Sequence, residues 1–283
     1  MIIYVLLFRL PNSWKNTIFA GKYNEMIQTN FHTHTTRCGH ATGTDEEYVV
    51  SAIKGGYRIL GFSDHTPWKY ASDFVSPIRM DISELPEYTA SLRYLKEKYK
   101  EQIDLKIGLE CEYFTDYIPW LKEVTREAQL DYLIFGNHFY DTDEIYPYFG
   151  RETDSPKMLE MYEESTIRGM ESGLFAYLGH PDLFMRSYFE FDNYCEKISR
   201  KICQKAYQLN IPLEYNIGYL EENLRKGVNG YPHPLFWKIA KDEGCTAIIG
   251  MDAHDNKVLE NNILYNRSRI YLKKLGIKTI DKI

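Results

Sequence analysis

The chain is poor in paired cysteine. Its five cysteines, Cys38, Cys111, Cys195, Cys203 and Cys245, are scattered and form no CxxC pair. That excludes a thiolate zinc finger and a disulfide framework as organising devices, and it makes a reducing compartment, the cytoplasm, the simplest setting. Basic charge is also short. With 34 Lys and Arg against 40 Asp and Glu the net charge is -6, so no positive field is available to gather nucleic acid by neutralising phosphates. A chain of this balance that handles a phosphate does so locally, with metal ions and a few arginines. Long apolar runs are lacking too. The opening "MIIYVLLFRL" is far shorter than the roughly 18 residues of a membrane-spanning helix, and as a signal peptide it has no basic leader and no clear cleavage site. No low-complexity tract, linker or repeat divides the chain.

What is present is an ordinary globular composition, 44% hydrophobic and 26% charged, at a length that suits one large α/β domain. A short β-branched or aromatic run, a turn and a helix-length amphipathic segment follow one another repeatedly. Strands are expected at Ile27–Phe31, Ile59–Phe62, "LKIGLE", "DYLIFGNH", "LFAYLGH", "IPLEYNI" and "CTAIIGMDAH". Thr44 and Glu47 have the spacing of a capping box and open the first helix, which Gly55-Gly56 ends. Further helices are expected from Ser83 to about Lys100, near Ile118–Ala128, Pro156–Ser172, Asp192–Leu209 and Pro234–Glu243, with a closing helix after the seventh strand. Seven such units imply a parallel sheet, because each parallel return needs a crossover. A closed barrel and an open sheet both satisfy the pattern, and the placement of polar residues separates them.

Of the eight histidines, His32, His34, His40, His65, His138, His180 and His254 fall at or just beyond the C-terminal end of an expected strand, and only His233 does not. In parallel α/β folds that rim carries the active site. In a closed barrel all these ends meet at one mouth, whereas in an open sheet the first and seventh strands lie far apart, so the distribution favours closure. Glu110 and Asp252 belong to the same rim. Imidazole with carboxylate suits Zn, Mn or Fe, and nine ligands exceed what one ion holds, which points to a cluster of two or three. A strand period of two places His32 with His34, and Asp252 with His254, on one face. The same period lets Glu112 compete with Glu110, and Asp64 serves equally well as a ligand or as a partner that orients an imidazole. Cys38 reads as a bystander, and His233, in "GYPHPLF", as an exposed residue.

The ordered motifs "FHTHTTRCGHATGT", "GFSDHTP", "GLECEY", "GNHF", "LGHPDL" and "GMDAH" resemble the PHP superfamily of metal-dependent phosphoesterases. "RCGHATGTDEEYV", "GFSDHTPW" and "GLFAYLGHPDL" are similar to its histidinol-phosphatase branch. The resemblance, running from about Asn30 to Asp255, implies a distorted (β/α)7 TIM-like barrel and a centre of three divalent ions. It implies that His32, His34, Glu110 and Asp252 hold one ion, and that His40, His65 and His254 hold a second. Glu110 then bridges to a third, held by His138 and His180. The implied reaction is hydrolysis of L-histidinol phosphate to L-histidinol and phosphate in histidine biosynthesis. The alternative is another PHP phosphoesterase with a different small phosphate monoester or nucleotide. Neither nucleic acid nor a membrane is an expected partner.

A phosphate also calls for arginine. Arg186, Arg151 and Arg225 follow the fifth, fourth and sixth strands and are the candidates, in that order. Met26 stands just before the first strand, so residues 1–25 read as an N-terminal extension and residues 26–283 as the PHP domain. A chain shortened to begin at Met26 is expected to stay soluble and keep its phosphatase activity; insolubility or loss of turnover would show that the extension is needed.

Overall fold

A computed structural model describes residues 28–188 and 190–283, without the side chains of Glu221, Glu222 and Arg225. The 1–25 extension and Ile27 lie outside the described residues. In chain order the elements are β1 (Gln28–Asn30), α1 (Asp45–Gly55), β2 (Tyr57–His65), α2 (Leu85–Lys98), β3 (Asp104–Cys111), α3 (Ile118–Glu127) and β4 (Tyr132–Gly136). There follow α4 (Phe149–Glu152), α5 (Pro156–Glu171), β5 (Leu178–Gly179), α6 (Asn193–Leu209), β6 (Leu213–Asn216), α7 (Leu220–Lys226), α8 (Pro234–Asp242), β7 (Thr246–Gly250), α9 (Ile263–Leu275) and β8 (Lys278–Thr279). The capping box is present, with Thr44 and Glu47 each satisfying a backbone N–H of the other.

All eight strands run parallel in the order of the chain, as the strand and helix alternation requires. The sheet curls round until the continuation of β1 meets that of β7 at the C-terminal rim. There Thr33 and Ala253 form a parallel bridge, with His34 N–H donating to the Ala253 carbonyl at 3.0 Å. At the opposite end β8 pairs with Thr246 and Ala247 of β7 instead. The result is the expected (β/α)7 TIM-like barrel, distorted because its first and seventh strands join only at the mouth, with a two-residue eighth strand beside β7 at the other end of the sheet. Strand β5 is shorter than "LFAYLGH" suggests, since only Leu178 and Gly179 pair.

Period-two alternation divides each strand between two cores. Leu133 and Phe135 of β4, Ala247 and Ile249 of β7, and Leu213 and Tyr215 of β6 face the helices and join one large buried cluster. Phe31, Tyr132, Ile134, Tyr177 and Ile248 fill the barrel interior as a second cluster. Each such side chain contributes about 1.5–3 kcal/mol by leaving water. Above that apolar plug the inward positions turn polar, with Glu110 on β3, Glu214 and Asn216 on β6, and His65 closing β2, all buried.

Inward glycines make room for those carboxylates. A Cβ on Gly250 would stand 1.7 Å from Oε1 of Glu214, and one on Gly136 would stand 2.3 Å from Oε1 of Glu110. Gly250→Ala is therefore expected to cost about 1–3 kcal/mol, the usual range for overpacking a close-packed interior, read by urea unfolding. Unchanged stability would mean that Glu214 moves aside without strain.

Candidate metal centre

The mouth of the barrel is built around Glu110. Its Oε1 lies 2.9 Å from His180 Nε2 and 3.4 Å from both His32 Nε2 and His138 Nε2. Its Oε2 lies 3.0 Å from His65 Nδ1 and 3.6 Å from His34 Nε2. Asp252 completes the floor, with Oδ1 3.2 Å from His34 Nε2 and 3.4 Å from both His32 Nε2 and His254 Nδ1. Glu110, His32, His34, His65, His138 and His180 are buried, Asp252 and His254 are half-buried, and His40 is exposed at the mouth. All nine residues expected to be ligands come together in one place.

Their polar atoms are left without partners of the ordinary kind. Among the described residues His32 Nε2, His34 Nε2, His65 Nδ1, His254 Nε2 and Glu110 Oε2 are buried and accept or donate no hydrogen bond. Buried polar atoms are almost always paired, so this concentration marks a place built for something that completes it. Three groups have the reach of cation sites, their ligand atoms within 4.8 Å of one another: His32, His34 and Glu110; His40, His65 and His254; and His65, Glu110 and His138. One of the three ligand sets implied by the sequence resemblance, His40, His65 and His254, thus appears whole as a group, and a second appears without Asp252, while His65 takes part in two groups. His180 joins the third through its Nε2, 3.1 Å from that of His138. Cys38 forms a fourth group with His34 and His254; burial and the Asp64 charge push its thiol up to about 12, so it remains a neutral, poor ligand.

A layer of carboxylates fixes the imidazoles from behind. Glu214 takes His32 Nδ1 at 2.8 Å and Glu112 takes His138 Nδ1 at 2.8 Å. Asp64 lies 3.4 Å from His34 Nδ1 and also accepts from Thr35 Oγ1 and, at 3.2 Å, from its N–H. The Nδ1 of His40 faces the Cys38 carbonyl at 2.9 Å. With Nδ1 engaged, the Nε2 lone pair of each of these rings is directed to the centre. Glu112 and Asp64 thus face the Nδ1 side of His138 and His34, away from the groups with the reach of cation sites. Glu214 escaped the sequence reading, although "IPLEYNI" carried the signal: Glu214 and Asn216 alternate with Leu213, Tyr215 and Ile217 on a strand that is otherwise apolar.

Charge is unevenly shared here. Burial works against the ionised form of Glu110, but His138, His32 and His65 outweigh it and hold the carboxyl well below its ordinary value. Asp252 is held down in the same way by His32 and His34. For His34 burial is outweighed by Asp252 and Asp64, which raise it to about 9, whereas burial and the His34 charge drive His65 down to about 3 and His254 down to about 4. The carboxylates demand positive charge that the crowded imidazoles cannot all supply as protons. Divalent cations on imidazole and carboxylate donors meet that demand.

Two of the residues also carry backbone strain. His180 has φ 26° and Asp252 φ 47°, a region that non-glycine residues enter at a cost of about 1–3 kcal/mol and that concentrates at functional sites.

Above the floor opens a cleft of about 1160 Å³ lined by Tyr148, Arg151, Arg186, Tyr219, Lys257 and Arg267 among others. The Arg186 guanidinium lies over the Tyr219 ring at 4.4 Å and donates to Tyr148 Oη at 3.3 Å. Among the described residues it has no carboxylate partner. Arg151 is exposed at the edge of the cleft, and the side chain of Arg225 lies outside the described residues. Lys257 and Arg267, which follow β7, were not foreseen, since an isolated Lys or Arg beyond the last strand looks like solvated surface. His233 is not an exposed loop residue: it is buried, stacks on Phe191 at 4.8 Å, and caps α8 by accepting from Leu235 N–H. The proline that follows it opens the helix and leaves that cap position to the imidazole.

Known proteins share this arrangement of chain. A probable histidinol-phosphatase from Deinococcus radiodurans is 29% identical over 79% of this chain and 85% of its own. The histidinol-phosphatase of Bacillus subtilis is 25% identical over 81% of this chain and 94% of its own. A solved histidinol phosphate phosphatase from Lactococcus lactis, complexed with zinc, L-histidinol and phosphate, superposes with a TM-score of 0.70 at 19% identity, over 89% of this chain and 95% of that one. Among the described residues no helix is long and apolar enough to cross a membrane. The PHP domain model matches residues 30–223, well over half of the chain and all but two of the nine converging residues, and the chain accordingly belongs to the PHP domain family.

Proposed function

We propose that the chain hydrolyses L-histidinol phosphate to L-histidinol and phosphate at a centre of three divalent ions, zinc, manganese or iron, as a step of histidine biosynthesis. The observation that carries this reading is the set of buried, unpartnered Nε2, Nδ1 and carboxylate atoms at the barrel mouth, beneath a cleft with arginine on its wall. Relatives covered over most of their length bear the histidinol-phosphatase name. In this reading the domain spans residues 26–283, and the five buried free thiols support a cytoplasmic setting.

His32, His34, Glu110 and Asp252 would hold one ion, His40, His65 and His254 a second, and Glu110, His138 and His180 a third. Bound there, such ions would activate water near neutral pH and offset charge on the phosphoryl oxygens. The chain's own groups do the rest. Glu214, Asp64 and Glu112 keep the imidazoles turned inward. Asn216 donates to Oδ2 of Asp252 at 3.1 Å, which leaves Oδ1 facing the histidines. Arg186, held by Tyr148 and Tyr219, is placed to grip phosphoryl oxygens, with Arg151 at the edge and Arg225 as a further candidate. The apolar and aromatic wall of the cleft, including Phe139, Ile217, Leu224 and Tyr231, displaces water from around the phosphate and strengthens these contacts.

Three outcomes are expected. With divalent metal added, turnover of L-histidinol phosphate should exceed that of an aryl phosphate by a wide margin, and His65→Ala should lose more than about 100-fold while remaining folded by circular dichroism. Equal efficiency on both substrates would instead favour a general phosphoesterase of the same family. Glu214→Ala should weaken metal binding by about 10–100-fold in a chelator competition, because His32 then loses the partner that fixes its ring; unchanged affinity would remove Glu214 from the centre.

A further inference from the structure

We propose that Arg79 is a positioning residue for the third ion position, acting through Glu112 on His138 and locking two walls of the cleft to it. This rests on the reading of His138 as a ligand. Arg79 is the hub of a buried charged network of which the proposed chemistry uses Glu112 alone. Its Nη2 donates to Glu112 Oε1 at 2.8 Å, its Nε donates to Asp143 Oδ2 at 3.0 Å, and its Nη1 donates to the Thr66 carbonyl at 3.3 Å. The side chains of Arg79, Glu112 and Asp143 are only 2%, 1% and 3% exposed. At that depth an unsupported charge is strongly disfavoured, so the network persists only as a complete set.

The oxygen of Glu112 that accepts from Arg79 is the one that faces His138 Nδ1 at 2.8 Å. Its other oxygen accepts from Trp68 Nε1 at 3.0 Å. The carboxylate is thus clamped on both sides, and the His138 ring can turn only about the point that Arg79 and Trp68 set. Its Nε2 then meets Glu110 Oε1 and His180 Nε2.

The other end of the guanidinium ties down the loops. Asp143, on the segment after β4, also accepts from Tyr70 Oη at 2.6 Å and from Ser76 Oγ at 2.9 Å, both on the segment after β2. Those two segments supply Pro77, Ile78, Phe139 and Tyr148 to the cleft. A planar fork with several fixed donors can bind both carboxylates at once, which a point charge cannot. Arg79 thereby joins the position of the third ion to the shape of the pocket above it.

The test is Arg79→Lys, which keeps the charge but cannot span Glu112 and Asp143. In the full chain, zinc titrated against a chelator should show one ion weakened by about 10–100-fold, the others unchanged, and elemental analysis after dialysis should find one ion fewer per chain. The thermal midpoint of the metal-free protein serves as a control for general loosening. Should Arg79→Lys not fold, Glu112→Gln carries the same test, since the amide keeps the volume but gives His138 and Arg79 a weaker acceptor. Equal weakening of all ions in step with lost stability would make Arg79 merely structural and overturn the inference. Variants that bind every ion as tightly as the wild type would also overturn it. A wild-type chain that binds no ion would bring down the metal centre itself, a distinct result.

Discussion

The constraint on which the structure turns is the burial of one carboxylate. Glu110 lies at the centre of the barrel mouth, 1% exposed, with four imidazole nitrogens within 3.4 Å of its two oxygens. An ionised carboxylate taken out of water costs several kcal/mol unless positive charge and hydrogen bonds replace its hydration. Protons can do this only in part. Charging His34 disfavours charge on His65 and His254, whose values fall as that of His34 rises. Divalent cations escape that conflict, since one ion brings two charges and binds neutral imidazole.

The surrounding architecture serves that arrangement. Glu214, Glu112 and Asp64 stand behind the imidazoles, and small inward residues of the sheet leave room for the buried carboxylates. Gly250 is the clearest instance, because any side chain there meets Glu214. The apolar plug of Phe31, Tyr132, Ile134, Tyr177 and Ile248 closes the barrel below, so the charged layer faces a medium of low polarity on one side and the cleft on the other. Electrostatic interactions are stronger in such a setting than at an open surface.

Much of this was legible in the sequence because the barrel turns a linear pattern into a spatial one. Strand ends at His32, His65, Glu110, His138, His180 and Asp252 converge wherever seven parallel strands close, so their position after apolar runs sufficed to group them. The partners behind the ligands were harder to read. Glu112 and Asp64 were visible as alternatives, but which oxygen meets which ring depends on side-chain packing. The Arg79 network joins residues 70, 76, 79, 112 and 143, a long-range set that strand periodicity does not encode. His233 misled because its neighbouring prolines look like loop punctuation, whereas one of them opens a helix that the imidazole caps. The two-residue β8 and the short β5 carry too few residues for any period to show.

Closure itself is the step that makes the centre complete. Strands β1 and β7 do not pair along their length; they meet through the Thr33 and Ala253 bridge, with Ala253 N–H donating to the His32 carbonyl at 3.2 Å and Met251 N–H to Asn30 Oδ1 at 2.9 Å. Those few bonds bring the His32 and His34 pair against the Asp252 and His254 pair, the two ends of the sequence motif set. Asp252 takes a left-handed backbone conformation between them, which an ordinary strand extension would not tolerate. The strain is held by bonds on both flanks, and in return Oδ1 reaches three imidazoles at once. A barrel with a longer, regular β1 to β7 ladder would gain hydrogen bonds, yet it would carry Asp252 straight on in extended geometry and lose that convergence. The distortion of the barrel and the assembly of its centre are the same structural fact.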